Sequence, residues 1–136
     1  MPHPYEWAVI RVVPRVERCE LVNVGVVVYC QALDFLDART TDDLGRALAL
    51  DPALDVASVL AQLDSIRAVC RGDASSGASG LRAPGDRFRW LVAPRSTVVQ
   101  TSPVHTGITD DPAAELADLV RRMVEPPASR SGVSLA

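Results

Sequence analysis

A chain of 136 residues, 48% hydrophobic and 23% charged, is long enough to bury one core without a metal or disulfide staple, and its balance is that of a globular domain. The net charge of −3 argues against sequence-independent nucleic-acid binding, which rests on a surplus of cations facing phosphate; all 14 basic residues are arginine, a bias that high-GC coding explains. The longest apolar run, Val24 to Cys30, falls far short of the ~20 residues of a membrane span, and because residues 1–4 run directly into a patterned segment, no secretory leader is expected. The expectation is one cytoplasmic domain over residues 1–125, followed by a disordered tail over 126–136.

Residues 5–13 are rich in β-branched and aromatic types and end at Pro14, which predicts a strand and its terminator. A charged connection, Arg15 to Arg18, leads to a second strand over 20–30. Strict alternation there puts Val22, Val24, Val26, Val28 and Cys30 on a core face, and Leu21, Asn23, Gly25, Val27 and Tyr29 on a mixed one. A tight turn near Gln31 and Ala32 joins it to a third strand over 33–40, completing an antiparallel meander.

Thr41 and Asp42 supply N-cap chemistry for a short helix through Leu44, Ala47 and Leu48, which Asp51-Pro52 breaks. Asp55 caps a longer helix over 56–71, and Gly72 stands where a left-handed C-terminal residue is favoured. Residues 73–85, dominated by Ser, Gly, Ala and Pro, predict a mobile loop. Phe88 to Val92 and Val98 to Thr101 alternate like two strands of a hairpin turning at Pro94 and Arg95, with 102–109 irregular. Asp110-Asp111-Pro112 then opens a last helix, whose stripe is Leu116, Leu119, Val120 and Met123. The sum is an α+β fold, an antiparallel sheet of about five strands (a three-strand meander plus a hairpin) covered by two or three helices.

The chemistry-bearing segment is Arg87 to Thr106. The hairpin sets Arg89 opposite Gln100, and Arg95, Ser96 and Thr97 stand at its turn, so guanidinium, hydroxyl and amide donors converge as they would around a phosphate or carboxylate. His105 is the one histidine of the patterned region and the natural proton carrier. The competing account is a solvated arginine face with a polar turn. No nucleophile completes a hydrolytic triad. Cys19, Cys30 and Cys70 have no C-x-x-C spacing, and the first two lie about 35 Å apart if they bracket one strand. Neither metal nor other cofactor is expected. On the mixed face of the first two strands, Trp7, Arg11, Asn23 and Tyr29 could line a surface for a partner, and Arg11 and Asn23 need polar partners wherever they are buried.

The segments Tyr5-Glu-Trp-Ala-Val-Ile-Arg-Val-Val-Pro14, Asn23-Val-Gly-Val-Val27, Arg87-Phe-Arg-Trp-Leu-Val-Ala-Pro-Arg-Ser-Thr97 and Ser102-Pro-Val-His-Thr-Gly107 together resemble a bacterial family catalogued as DUF 3037. The family carries no activity to transfer. The resemblance implies a small protein encoded near kinases of the HipA-like toxin class. Two readings follow. The first is a non-enzymatic accessory or regulatory protein that binds a protein partner, such as that kinase, through a sheet edge or through Trp7, Arg11, Asn23 and Tyr29. The second is a domain for a small anionic ligand, or a modest enzyme, using Arg89, Arg95, Ser96, Thr97, Gln100 and His105. Homodimerisation through an exposed edge strand is compatible with either.

Overall fold

The computed structural model describes residues 1–73 and 82–127. Most of the segment expected to be a mobile loop, and residues 128–136 of the expected tail, lie outside the described residues.

Three strands, β1 (His3–Val12), β2 (Val22–Cys30) and β3 (Phe35–Thr40), form the antiparallel meander. A 3-10 turn over Val16–Arg18 joins the first two, with Cys19 in the left-handed region at φ 58°. The four residues Gln31 to Asp34 make the second connection. Helix α1 (Gly45–Leu50) follows, and its opening turn is tied by Asp43 rather than Asp42: the Asp43 carboxylate accepts from the Gly45 N–H at 2.9 Å. Helix α2 (Val56–Arg71) begins and ends as the sequence predicts. The Asp55 carboxylate accepts from the Ser58 N–H, and Gly72 closes the helix at φ 72°.

The expected strand at Phe88 to Val92 is instead part of helix α3 (Pro84–Leu91). Alternation and helical spacing coincide here: Phe88 and Leu91, three residues apart, are both buried on one helix face, while Trp90 remains 43% exposed. Pro84 sits in the first helical turn, where its missing N–H costs nothing. The hairpin about Pro94 and Arg95 is therefore absent. Two short strands, β4 (Val99–Thr101) and β5 (His105–Thr109), both pair with β1. β5 occupies a stretch expected to be irregular. The last helix, α4 (Pro112–Met123), is capped by Asp111, whose carboxylate accepts from the Ala114 N–H.

The five-stranded sheet runs β3-β2-β1-β4, with β5 beside β4 along the same side of β1. The step between them is at Ser102. Its N–H donates to the Val9 carbonyl at 2.8 Å, and its hydroxyl oxygen accepts from the Val9 N–H at 2.9 Å. Ile10 faces Thr101 but Trp7 faces His105, so the register slips by one residue across this break.

Helices cover both faces. Ala8, Ile10, Val12, Val27 and Tyr29 pack with Val59 and Leu63 of α2 and with Phe88 and Leu91 of α3. On the other face, Tyr5, Val26, Val28 and Cys30 pack with Leu116 and Leu119 of α4. Burial on two faces explains why β2 reads as an almost unbroken valine run. A bulge also corrects the alternation expected there. Ile10 lies opposite Gly25 but Arg11 opposite Asn23, so Val24 is an extra residue and joins the core under α2 and α3. Val22 turns to the same side as Val24, leaving Asn23 facing α4.

Candidate functional site

The ligand residues expected from the sequence separate into three places: Arg89, His105, and the segment from Arg95 to Gln100. Arg89, carried on α3, reaches back to β1 and holds Glu6 through two hydrogen bonds of 2.7 Å. It stands on the α2/α3 side of the sheet. Gln100 lies opposite Arg11 in the β1–β4 ladder and shares its face, the α4 side, so the expected pairing of Arg89 with Gln100 does not occur. His105 is equally distant in role: its exposed ring stacks on the Trp7 indole at 4.5 Å, five-residue β5 holding it opposite that residue.

Around the segment from Arg95 to Gln100, the chain closes on itself. The Arg95 guanidinium donates to the Trp90 carbonyl at 2.7 Å and to the Leu91 carbonyl at 3.1 Å, and it lies 4.6 Å over the Trp90 ring. A cation there satisfies orphan carbonyls at the end of α3 and complements the helix dipole. The Thr97 hydroxyl donates to the Val99 carbonyl at 2.8 Å, and the Gln100 side-chain amide donates to the Thr97 carbonyl at 2.6 Å. These bonds fix the loop that follows α3 to the end of that helix and to the start of β4, and the Val13 N–H, donating to the Val98 carbonyl at 2.7 Å, joins it to the chain just beyond β1.

Beside this loop is a cleft of about 260 Å³ that brings together Arg11, Arg95, Ser96 and Gln100. Val13, Val16 and Leu21 supply apolar walls, and Cys19 supplies a thiol. Arg11 is the residue that gives the cleft its character. Its Nε is buried without a hydrogen-bond partner, and its guanidinium makes no ion pair among the described residues. The contrast with Arg87 is informative: the Nε of Arg87 is likewise unpartnered, but its terminal nitrogens donate to the Arg82 and Cys70 carbonyls. On the turn beyond Arg11, Glu17 pairs with Arg15 and Glu20 with Arg18. An arginine that lines a solvent-open cleft without a counter-ion among the described residues, its Nε desolvated and unpartnered, is stabilised by an anion entering that cleft, because the charge is otherwise uncompensated.

The match is to the family described as protein of unknown function (DUF3037), over residues 7–124. The chain belongs to that family. No curated protein and no solved structure matches it. The matched span includes all of β2 to α4 and every residue of the cleft, so the cleft lies wholly within the family's domain.

The four residues expected to meet a partner do not share one surface. Tyr29 is buried under α3 and stacks on Phe88 at 5.3 Å, because the bulge at Val24 turns it away from Asn23. Asn23 donates to the Met123 carbonyl at 3.0 Å and so fastens the end of α4. Trp7 is half-buried beside α4 and His105. Arg11 alone opens into the cleft. Sequence reading placed Arg11 with Trp7 and missed its company with Arg95, Ser96 and Gln100. The available signal was its position, an arginine between Ile10 and Val12 in an apolar strand.

Among the described residues, no helix is long and apolar enough to cross a membrane, and no group of three or more His, Cys, Asp or Glu side chains could hold a metal ion.

Proposed function

We propose that this domain binds a small anion, a phosphate or carboxylate group, in the cleft between β1, β4 and the loop after α3. The observation that carries the reading is the buried, unpartnered Nε of Arg11 at the wall of a solvent-open cleft. In this reading, Arg11 supplies the charge and Ser96 a hydroxyl donor. Arg95 adds a second positive charge, while its bonds to the end of α3 hold it in place. Each charge-assisted hydrogen bond would contribute roughly 1.5 to 3 kcal/mol. A volume of about 260 Å³ suits a small molecule or the charged end of a larger one.

Calorimetric titration with inorganic phosphate, phosphosugars, nucleotides and dicarboxylates, in a buffer free of competing anions, tests the reading. Binding should be lost in Arg11→Ala and retained in Arg89→Ala, whose guanidinium is engaged with Glu6. Absence of binding to every one of these at millimolar concentration would overturn it.

The second reading is the accessory protein that binds a partner, for example a kinase of the HipA-like class. It draws support from the strand β5, whose Ile108 is 69% exposed beside a sheet edge of the kind to which a partner chain can add. A rise in thermal midpoint with the kinase, set against silence from every small anion, would favour it.

A further inference from the structure

The ladder between β1 and β5 determines which backbone groups of β5 face outward. In an antiparallel pair, residues alternate between those that exchange hydrogen bonds with the partner strand and those that point the other way. Val9 directs both its N–H and its carbonyl toward Ser102, so the odd-numbered residues of β1 face β5. Pro4 agrees with that parity. It has no N–H, it lies opposite Ile108, and its carbonyl accepts from the Cys30 thiol on the β2 side. His105, Gly107 and Thr109, opposite Trp7, Tyr5 and His3, therefore bond to β1. Thr106 and Ile108 present their N–H and carbonyl groups at the other edge of β5, which pairs with no strand among the described residues.

We infer that this edge pairs with the same edge of a second copy of the chain, forming a two-fold antiparallel ladder centred on Gly107. The two outward residues are placed symmetrically about the glycine. Thr106 of one copy then meets Ile108 of the other, and each of the two pairs exchanges two backbone hydrogen bonds. Gly107 meets its own counterpart on the axis, where the strands approach most closely and neither carries a Cβ. Three further observations select a second copy as the occupant. The edge is only five residues long, bounded by Pro103 before it and by Asp110, Asp111 and Pro112 after it, so a strand of the same length and bounds matches it end to end. Its five residues include no arginine, acidic residue or proline of the kind that blunts unpaired edges. Ile108, 69% exposed on a single chain, gains the methyl group of the opposing Thr106 as a neighbour in each pair.

Light scattering after size exclusion, combined with hydrogen exchange, tests the pairing. The intact chain should elute at twice its 14.6 kDa at high micromolar concentration. The amides of Thr106 and Ile108 should exchange slowly there and quickly on dilution, whereas the Gly107 amide, already bonded to β1, stays slow throughout. The double substitution Thr106→Lys with Ile108→Lys sets like charges opposite each other in both pairs and should give a single chain at all concentrations. Both side chains are exposed, so its circular dichroism and its anion binding should be unchanged. A single chain at high micromolar concentration overturns the inference. So does a dimer in which the Thr106 and Ile108 amides remain fast, or protection of those amides only when a different protein is added.

Discussion

Arg89 and Glu6 meet side by side, each terminal guanidinium nitrogen 2.7 Å from its own carboxylate oxygen, so that one ion pair ties α3 across β1. The hydrogen bond to Glu6 raises the Arg89 pKa above its ordinary value. Arg89 is nonetheless 58% exposed, and solvent screens such a pair heavily. Arg89→Ala should lower stability by about 0.5 to 1 kcal/mol in urea unfolding. A double-mutant cycle with Glu6→Gln should return a coupling in the same range.

Ser102 is a different case, because its hydroxyl serves buried backbone. The side chain accepts from the Val9 N–H where β4 gives way to β5, and Ser102 is only 7% exposed. Ser102→Ala would leave that N–H without an acceptor, at a cost of about 1 to 3 kcal/mol. Exchange at the Val9 amide should quicken more than at Ile10 or Trp7.

Gly107→Ala should destabilise for steric reasons alone. A Cβ there would stand 2.6 and 2.8 Å from carbons of the Tyr5 ring. The ring cannot withdraw easily, since it is packed in the core under α4 and its hydroxyl donates to Glu115 at 3.3 Å. Overpacking of this kind costs roughly 1 to 3 kcal/mol. The loss should shrink when Gly107→Ala is combined with Tyr5→Ala, a coupling that unfolding of the single and double variants will reveal.

The cysteines should divide by burial. Cys19 is exposed, whereas Cys30 and Cys70 are buried. A thiol-reactive chromogen at pH 8 should label Cys19 quickly, and the other two only after denaturation. Desolvation pushes the Cys70 thiol up to about 12 from an ordinary 9.0, with Asp37 adding to the effect. Its folded pKa is raised, so its contribution to stability is complete below pH 9 and is lost as pH climbs from 9 towards 12. Burial raises the Tyr5 phenol too, with Glu115 as the next cause, and this adds to the loss above pH 10. Denaturation midpoints between pH 8 and 11 should fall less steeply in Cys70→Ala than in the intact chain.

Much of this fold is written locally. The β-branched run ending at Pro14, the cap at Asp55, the glycine at position 72 and the Asp111-Pro112 helix start each act through neighbours within a few residues. The meander and the helices α2 and α4 were legible for that reason. The segment 84–92 was not, because Phe88, Trp90 and Val92 satisfy a two-residue period while Phe88 and Leu91 satisfy a helical one. The competition was decided by burial of Phe88 against Tyr29 and by Pro84 at the helix start. Of the candidate site, composition and position pointed to Arg95, Ser96 and Gln100, but not to Arg11 as their companion. That grouping depends on the register of β4 against β1, which sets Gln100 opposite Arg11, whereas the extra residue at Val24 separates Asn23 from Tyr29 and so divides the expected partner surface. The sequence by itself determined the elements whose signals lie within one turn or one strand. The tertiary structure decided which faces those elements present to one another, because a single bulge or a one-residue slip reverses every side chain beyond it.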